Sequence, residues 1–116
     1  MTTQRVKILE YLRGTDSHPT AHQIYEQVVK ELPTLTLATV YRNLKALEDQ
    51  GEVMKFKVGD AYRYDAKAGD HIHVITDDGT IEDVERPDVV KDVKEKLREE
   101  GYEPQDVKIV TTARSG

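Results

Sequence analysis

The chain has 116 residues, 37% hydrophobic and 34% charged, with no cysteine, no tryptophan and a formal charge of −5. Leu, Ile, Val and Phe fill 28 positions, which excludes a disordered acidic chain and suffices for one or two small domains. The lack of cysteine excludes disulfide scaffolds, thiol catalysis and thiolate-bound zinc or iron–sulfur centres, so any metal must be held by nitrogen and oxygen.

The first helical signal follows Thr2-Thr3, carries Val6, Leu9 and Leu12 at helical spacing and ends at Gly14. Asp16-Ser17-His18-Pro19 is a turn cluster, because proline biases the residue before it away from helix. Thr20 opens a second helix through a capping box, Thr20-Ala21-His22-Gln23. Ile24, Tyr25, Val28, Val29 and Leu32 form its buried stripe, and Pro33 stops it. A third helix runs from a Thr36 cap to Gly51, with Leu37, Val40, Leu44 and Leu47 on one face and Thr39, Tyr41, Arg42, Asn43 and Lys45 on or near the exposed side. From Glu52 the period becomes two: 53–58 and 61–65 read as strands about a tight Gly59-Asp60 turn. Three helices and a basic hairpin describe a winged helix, whose third helix enters the DNA major groove.

Residues 66–70 form a short linker, after which 71–75 and 80–84 read as strands about Asp77-Asp78-Gly79. Pro87-Asp88 starts a helix with Val90, Val93 and Leu97 on one face, closed by Gly101, and 107–112 supplies a last strand. Residues 1–65 carry nine basic and nine acidic side chains, whereas 66–116 carry eight and thirteen, so the whole excess of −5 lies in the second half. That asymmetry marks two functional units. The second is too short to bury much core alone and is expected to need a partner surface, most simply its own copy. No apolar run nears the roughly 18 residues of a membrane span and no signal-peptide core is present, so the expectation is a cytoplasmic protein without a membrane partner.

In the first half Arg42 suits a guanine edge or phosphate, Tyr41 a thymine methyl, Asn43 and Thr39 base or phosphate contacts, and Lys45 a phosphate. Arg5, with Lys55, Lys57 and Arg63 of the hairpin, adds cationic groups for the DNA backbone. In the second half His71-x-His73 on a strand sets two imidazoles on one face, about 7 Å apart along the chain, a spacing two ligands of one metal can use. Asp83 on the returning strand and Asp65 at the hairpin end are candidate carboxylate ligands, with His18 far off in sequence. By itself His-x-His is a weak signal, since exposed strands often carry solvated histidines. Three imidazoles with two carboxylates suit Fe(II), Mn(II) or Zn(II). No glycine-rich phosphate loop, nucleophile setting or paired carboxylate points to an enzyme.

Thr3-Gln4-Arg5 with Ile8-Leu9, His18-Pro19-Thr20-Ala21 with Ile24-Tyr25, the run Leu37-Ala38-Thr39-Val40-Tyr41-Arg42-Asn43-Leu44, Gly51 and the Gly59-Asp60 hairpin together resemble the ferric uptake regulator (Fur) family. Asp70-His71-Ile72-His73 and Gly79-x-Ile81-x-Asp83 fall where that family has its second-half signature, so the resemblance covers nearly the whole chain. It implies an α+β protein with a winged-helix DNA-binding domain (1–65), a hinge (66–70) and an α/β dimerisation and metal-sensing domain (71–116). The implied function is a metal-responsive transcriptional repressor, a homodimer on a palindromic duplex operator, with no small-molecule substrate.

His18, Asp65, His71, His73 and Asp83 match all five regulatory ligand positions of the family's peroxide-sensing (PerR) branch, implying one Fe(II) or Mn(II) per subunit, with Zn(II) as a further option. An ion joining donors from both halves would fix their relative orientation and so the spacing of two recognition helices. The alignment needs a one-residue deletion between Thr76 and Gly79, which leaves Glu82 as an alternative to Asp83. The family's paired cysteines are absent, with Thr76 and Asp78 in place of the first pair, so no structural zinc held by four cysteines is expected. The last strand has no histidine, and the start lacks the leading basic segment of many members. A second reading is a family member that binds DNA or a protein partner without sensing metal.

Overall fold

The computed structural model describes residues 2–66 and 69–114, and the chain divides into two compact units, Met1–Lys67 and Ala68–Gly116. Residues 67 and 68 of the expected hinge lie outside the described residues.

In the first unit the hydroxyl of Thr2 accepts from the Arg5 amide and opens α1 (Thr3–Arg13). Ile8, Leu9 and Leu12 are its buried face. Val6, expected on that face, is 36% exposed, because it stands about 200° from Ile8 around the helix. The capping box forms at α2 (Ala21–Val28): the Thr20 hydroxyl accepts from the Gln23 amide and the Gln23 side chain accepts from the Thr20 amide. This helix ends well before Pro33, since the amides of Glu31 and Leu32 both turn back to the Val28 carbonyl. The feature that stops it is therefore not the proline but the turn ahead of it. Thr36 caps α3 (Leu37–Asp49), and Gly51 just beyond has φ 76, the left-handed conformation glycine takes without strain.

The three helices close on Ile8, Leu12, Ile24, Val40, Leu44 and Leu47, all essentially fully buried. Each large aliphatic side chain of that kind contributes about 1.5–3 kcal/mol of burial. Antiparallel strands β1 (Met54–Val58) and β2 (Ala61–Asp65) form the wing, with Val58 opposite Ala61. Gly59, at φ 61, takes the first central position of the two-residue turn.

In the second unit β3 (His71–Thr76) is central, antiparallel to β4 (Ile81–Asp83) and parallel to β5 (Lys108–Ala113), with α4 (Pro87–Glu99) as the crossover. The β3–β4 turn is closed by polar bonds: the Thr76 hydroxyl donates to the Asp78 carboxylate, which also accepts from the Thr80 amide at 3.0 Å. These bonds hold the Asp78 carboxyl below its ordinary range, the Thr76 hydroxyl contributing most. Thus the positions expected to have lost a zinc staple instead make a hydrogen-bonded turn.

Helix α4 has Pro87 in its first turn and lacks a side-chain cap. Arg86 grips Asp88 with two bonds, 2.9 and 2.8 Å, and the Asp88 pKa is lowered to about 2, chiefly by that hydrogen bonding. Because the folded value lies below the ordinary ~3.9, this stabilisation is present above pH ~4 and lost as pH falls through about 2. Asp88→Asn is expected to flatten the acid limb of the unfolding curve in that window. An Asp88 carboxyl titrating near 4 by carbon-detected NMR would contradict the pairing. Of the expected face of α4 only Val90 is buried, while Leu97 is 37% exposed.

Candidate metal centre and nucleic-acid interface

His18 has φ 50, which makes it the one described non-glycine residue with positive φ. Such a conformation costs about 1–3 kcal/mol and persists where surrounding bonds impose it. Here the bonds come from β2. The Arg63 guanidinium donates through Nη1 to the carbonyls of His18 (2.9 Å) and Ser17 (3.4 Å), and the Tyr64 amide donates to the Pro19 carbonyl at 3.0 Å. Next along the strand, Asp65 Oδ2 lies 3.9 Å from His18 Nε2, both residues being buried. The edge of the His18 ring meets Phe56, centroids 5.8 Å apart. Burying an imidazole and a carboxylate together carries a desolvation cost that rarely returns as stability, so such a pair points to a use other than packing.

The second unit assembles the other candidate donors. His71 and His73 lie on one face of β3, as the alternation predicts, with rings stacked at 5.7 Å and only 5° apart in plane. The β3–β4 register sets Asp83 directly opposite His73, and Asp83 Oδ1 is 2.6 Å from His73 Nδ1. Two donors so close share either a proton or a cation. Glu82 pairs with Val74, on the opposite sheet face from His73, so the register distinguishes it from Asp83. All the donors are nitrogen and carboxylate oxygen, a set that fits Fe(II), Mn(II) or Zn(II).

On α3, Tyr41 is 48% exposed, and Arg42 is exposed with its Nη2 donating to the Thr39 hydroxyl at 3.1 Å. Lys45 is exposed and pairs with Asp49 one turn on. Asn43 does not share that surface. It is buried, donates to the Thr39 carbonyl and accepts from Arg5 Nε at 2.9 Å. Both groups expected at DNA are thus engaged in tying α1 to α3, because position 43 sits beside Leu44 and Leu47 on the inward side.

The wing also sorts its cations. Cross-strand partners share a face, and the register pairs Phe56 with Arg63 but Lys55 with Tyr64 and Lys57 with Tyr62. Arg63 therefore lies on the Phe56 face, opposite Lys55 and Lys57, and its guanidinium is bonded to carbonyls. Sequence reasoning overlooked Tyr62, which is 48% exposed with Lys55 Nζ 4.2 Å from its ring centre. The alternation of 61–65 held the signal for both.

A three-helix unit with a two-stranded wing, joined to a βα unit bearing a His-x-His strand, defines a winged-helix protein with a second domain. The Ferric uptake regulator family profile matches residues 1–112, and the chain belongs to that family. It is 40% identical over 89 residues to the Peroxide operon regulator of Bacillus subtilis, an alignment covering 75% of this chain and 61% of that protein. The chain thus spans about three fifths of the length of the curated relatives it matches. Among solved structures it resembles the Campylobacter jejuni peroxide stress regulator, with TM-score 0.79 and 31% identity, covering 97% of this chain and 86% of that one. It likewise resembles the Ferric uptake regulator from Pseudomonas aeruginosa with manganese, with TM-score 0.80 and 31% identity over 99% and 89% of the two chains. These relatives are named as regulators, not enzymes. Among the described residues no helix is long and apolar enough to cross a membrane.

Proposed function

We propose that this protein is a metal-responsive transcriptional repressor, acting in the cytoplasm as a homodimer on a palindromic duplex operator. His18, Asp65, His71, His73 and Asp83 bind one divalent ion per subunit, Fe(II) or Mn(II) before Zn(II). The observation that carries this reading is that each unit sets a buried histidine against a carboxylate, His18 against the buried Asp65 and His73 against the more exposed Asp83. The manganese held by the Pseudomonas regulator agrees with the donor chemistry. When bound, the ion supplies a bond network joining donors from both units, which favours one arrangement of the DNA-binding unit. Asp83 opposite His73, with the names of the relatives, favours peroxide-responsive over purely metal-responsive regulation.

On the DNA side Thr39, Tyr41 and Arg42 read bases, Lys45, Lys55 and Lys57 neutralise phosphates, and Arg5 and Asn43 set the angle of the helix that carries them. Dimerisation falls to the second unit, whose β5 is a sheet edge and which leaves Val89, Leu97, Tyr102 and Val110 exposed.

Mn(II) titrated into the protein, with and without a promoter fragment, tests the reading: promoter affinity should rise with occupancy and fall with salt. Binding that ignores Mn(II) would leave a constitutive DNA binder instead. Arg42→Ala should weaken promoter binding about 10-fold to 100-fold, the range for one good base contact, while Mn(II) affinity stays as in the unmutated protein. A parallel loss of metal affinity would remove Arg42 from the interface.

A further inference from the structure

We propose that Arg63 is a positioning residue for His18. Its guanidinium holds the 17–19 loop in the one conformation that turns the imidazole toward Asp65, so a strand of the wing sets the metal donors of the first unit. The inference rests on the reading of His18 and Asp65 as ligands.

Three consecutive residues of β2 act on the loop in order. Arg63 binds the carbonyls of Ser17 and His18, the Tyr64 amide binds that of Pro19, and Asp65 meets the His18 ring itself. The loop needs such a hold, since His18 keeps a positive φ without being glycine and precedes a proline, which narrows its choices further. The same pleat that points Arg63 and Asp65 at the loop points Phe56 there too, through its register with Arg63. Lys55, Lys57 and Tyr62 occupy the other face of the hairpin. One face of the wing is therefore fitted for an anionic backbone, the other for the metal loop, and the two faces share their strands.

The test compares R63K and R63Q with H18A, using Mn(II) alone as the probe and then the promoter fragment at saturating Mn(II). Lysine keeps the charge but ends one atom short of the Nη1 that reaches both carbonyls and lacks the planar guanidinium that aims it, and glutamine keeps neither charge nor reach. Both substitutions should lower Mn(II) affinity about 10-fold to 100-fold, the usual effect of losing a residue that orients a ligand. Promoter affinity at saturating Mn(II), and its salt slope, should return to those of the unmutated protein. A phosphate-binding role predicts the reverse: unchanged Mn(II) affinity, R63K close to normal, and R63Q with a salt slope smaller by about one. That result overturns the proposal. So does a lowered melting temperature of the apo protein with Mn(II) affinity unchanged, the mark of a purely structural residue. H18A discriminates the two levels of inference. If it leaves Mn(II) affinity intact, the ligand assignment fails and takes the proposal with it; if it abolishes binding while both Arg63 variants bind normally, only the positioning role fails.

Discussion

His73→Ala is expected to reduce Mn(II) affinity by more than about 100-fold and to remove metal-dependent promoter binding. Changing a residue that merely orients a ligand typically costs about 10-fold to 100-fold in affinity, and His73 is proposed as a ligand itself. It is fully buried on the central strand β3, with Asp83 2.6 Å away and His71 stacked beside it. Removing a buried side chain also lowers the stability of the apo protein, so melting temperature alone does not isolate the metal role. The stabilisation added by Mn(II) does. At a concentration 100 times its Kd an ion adds about 2.7 kcal/mol, and a variant binding 100-fold more weakly gains only about 0.4 kcal/mol at that concentration. Asp83→Asn, which keeps the volume and hydrogen-bonding capacity of the site, should show the same loss of metal-induced stabilisation with a smaller change in the apo protein. Metal-induced stabilisation of undiminished size in His73→Ala would remove His73 from the ligand set.

The placement of His71, His73 and Asp83 is largely legible in the sequence, because it depends on local rules. Strand alternation sets His71 and His73 on one face, and the short Asp77-Asp78-Gly79 turn limits where β4 can pair. What alternation alone leaves open, Glu82 or Asp83 opposite His73, is a matter of register, settled by where that turn closes. The winged helix is legible for like reasons: the Thr20 capping box, the Thr36 cap and the Gly59-Asp60 turn act within four residues. The tie between Asn43 and Arg5 is hidden because it spans 38 residues of sequence, and the role of Arg63 because its acceptors are carbonyls, which no side-chain pattern announces. Position 97 reads as core from its helical phase, but a phase names a face without saying whether the same chain covers it.

Leu97→Glu is therefore expected to dissociate the proposed dimer into monomers and to lower promoter affinity by at least about 100-fold. Among the described hydrophobic residues of the second unit only Ile75, Val90 and Val107 are buried, whereas Val89, Leu97, Tyr102 and Val110 stay exposed. A unit with so few buried apolar groups gains by covering the rest, and a second copy offers a matching face. Two recognition helices held together add about 10²-fold to 10⁴-fold to operator affinity through effective concentration, which a monomer forfeits. Mn(II) binding should survive in the variant, since all five proposed ligands come from one chain. Sedimentation gives the mass and a promoter titration the affinity; a Leu97→Glu protein that stays dimeric with normal promoter binding would put the interface elsewhere. Salt gives an independent check. The excess charge of −5 lies wholly in residues 66–116, so like charge opposes the dimer and added salt should tighten it. DNA binding must respond in the opposite sense, because each phosphate contact releases counterions. A dimer that loosens with salt would mean that ion pairs, not the apolar face of α4, hold the subunits together.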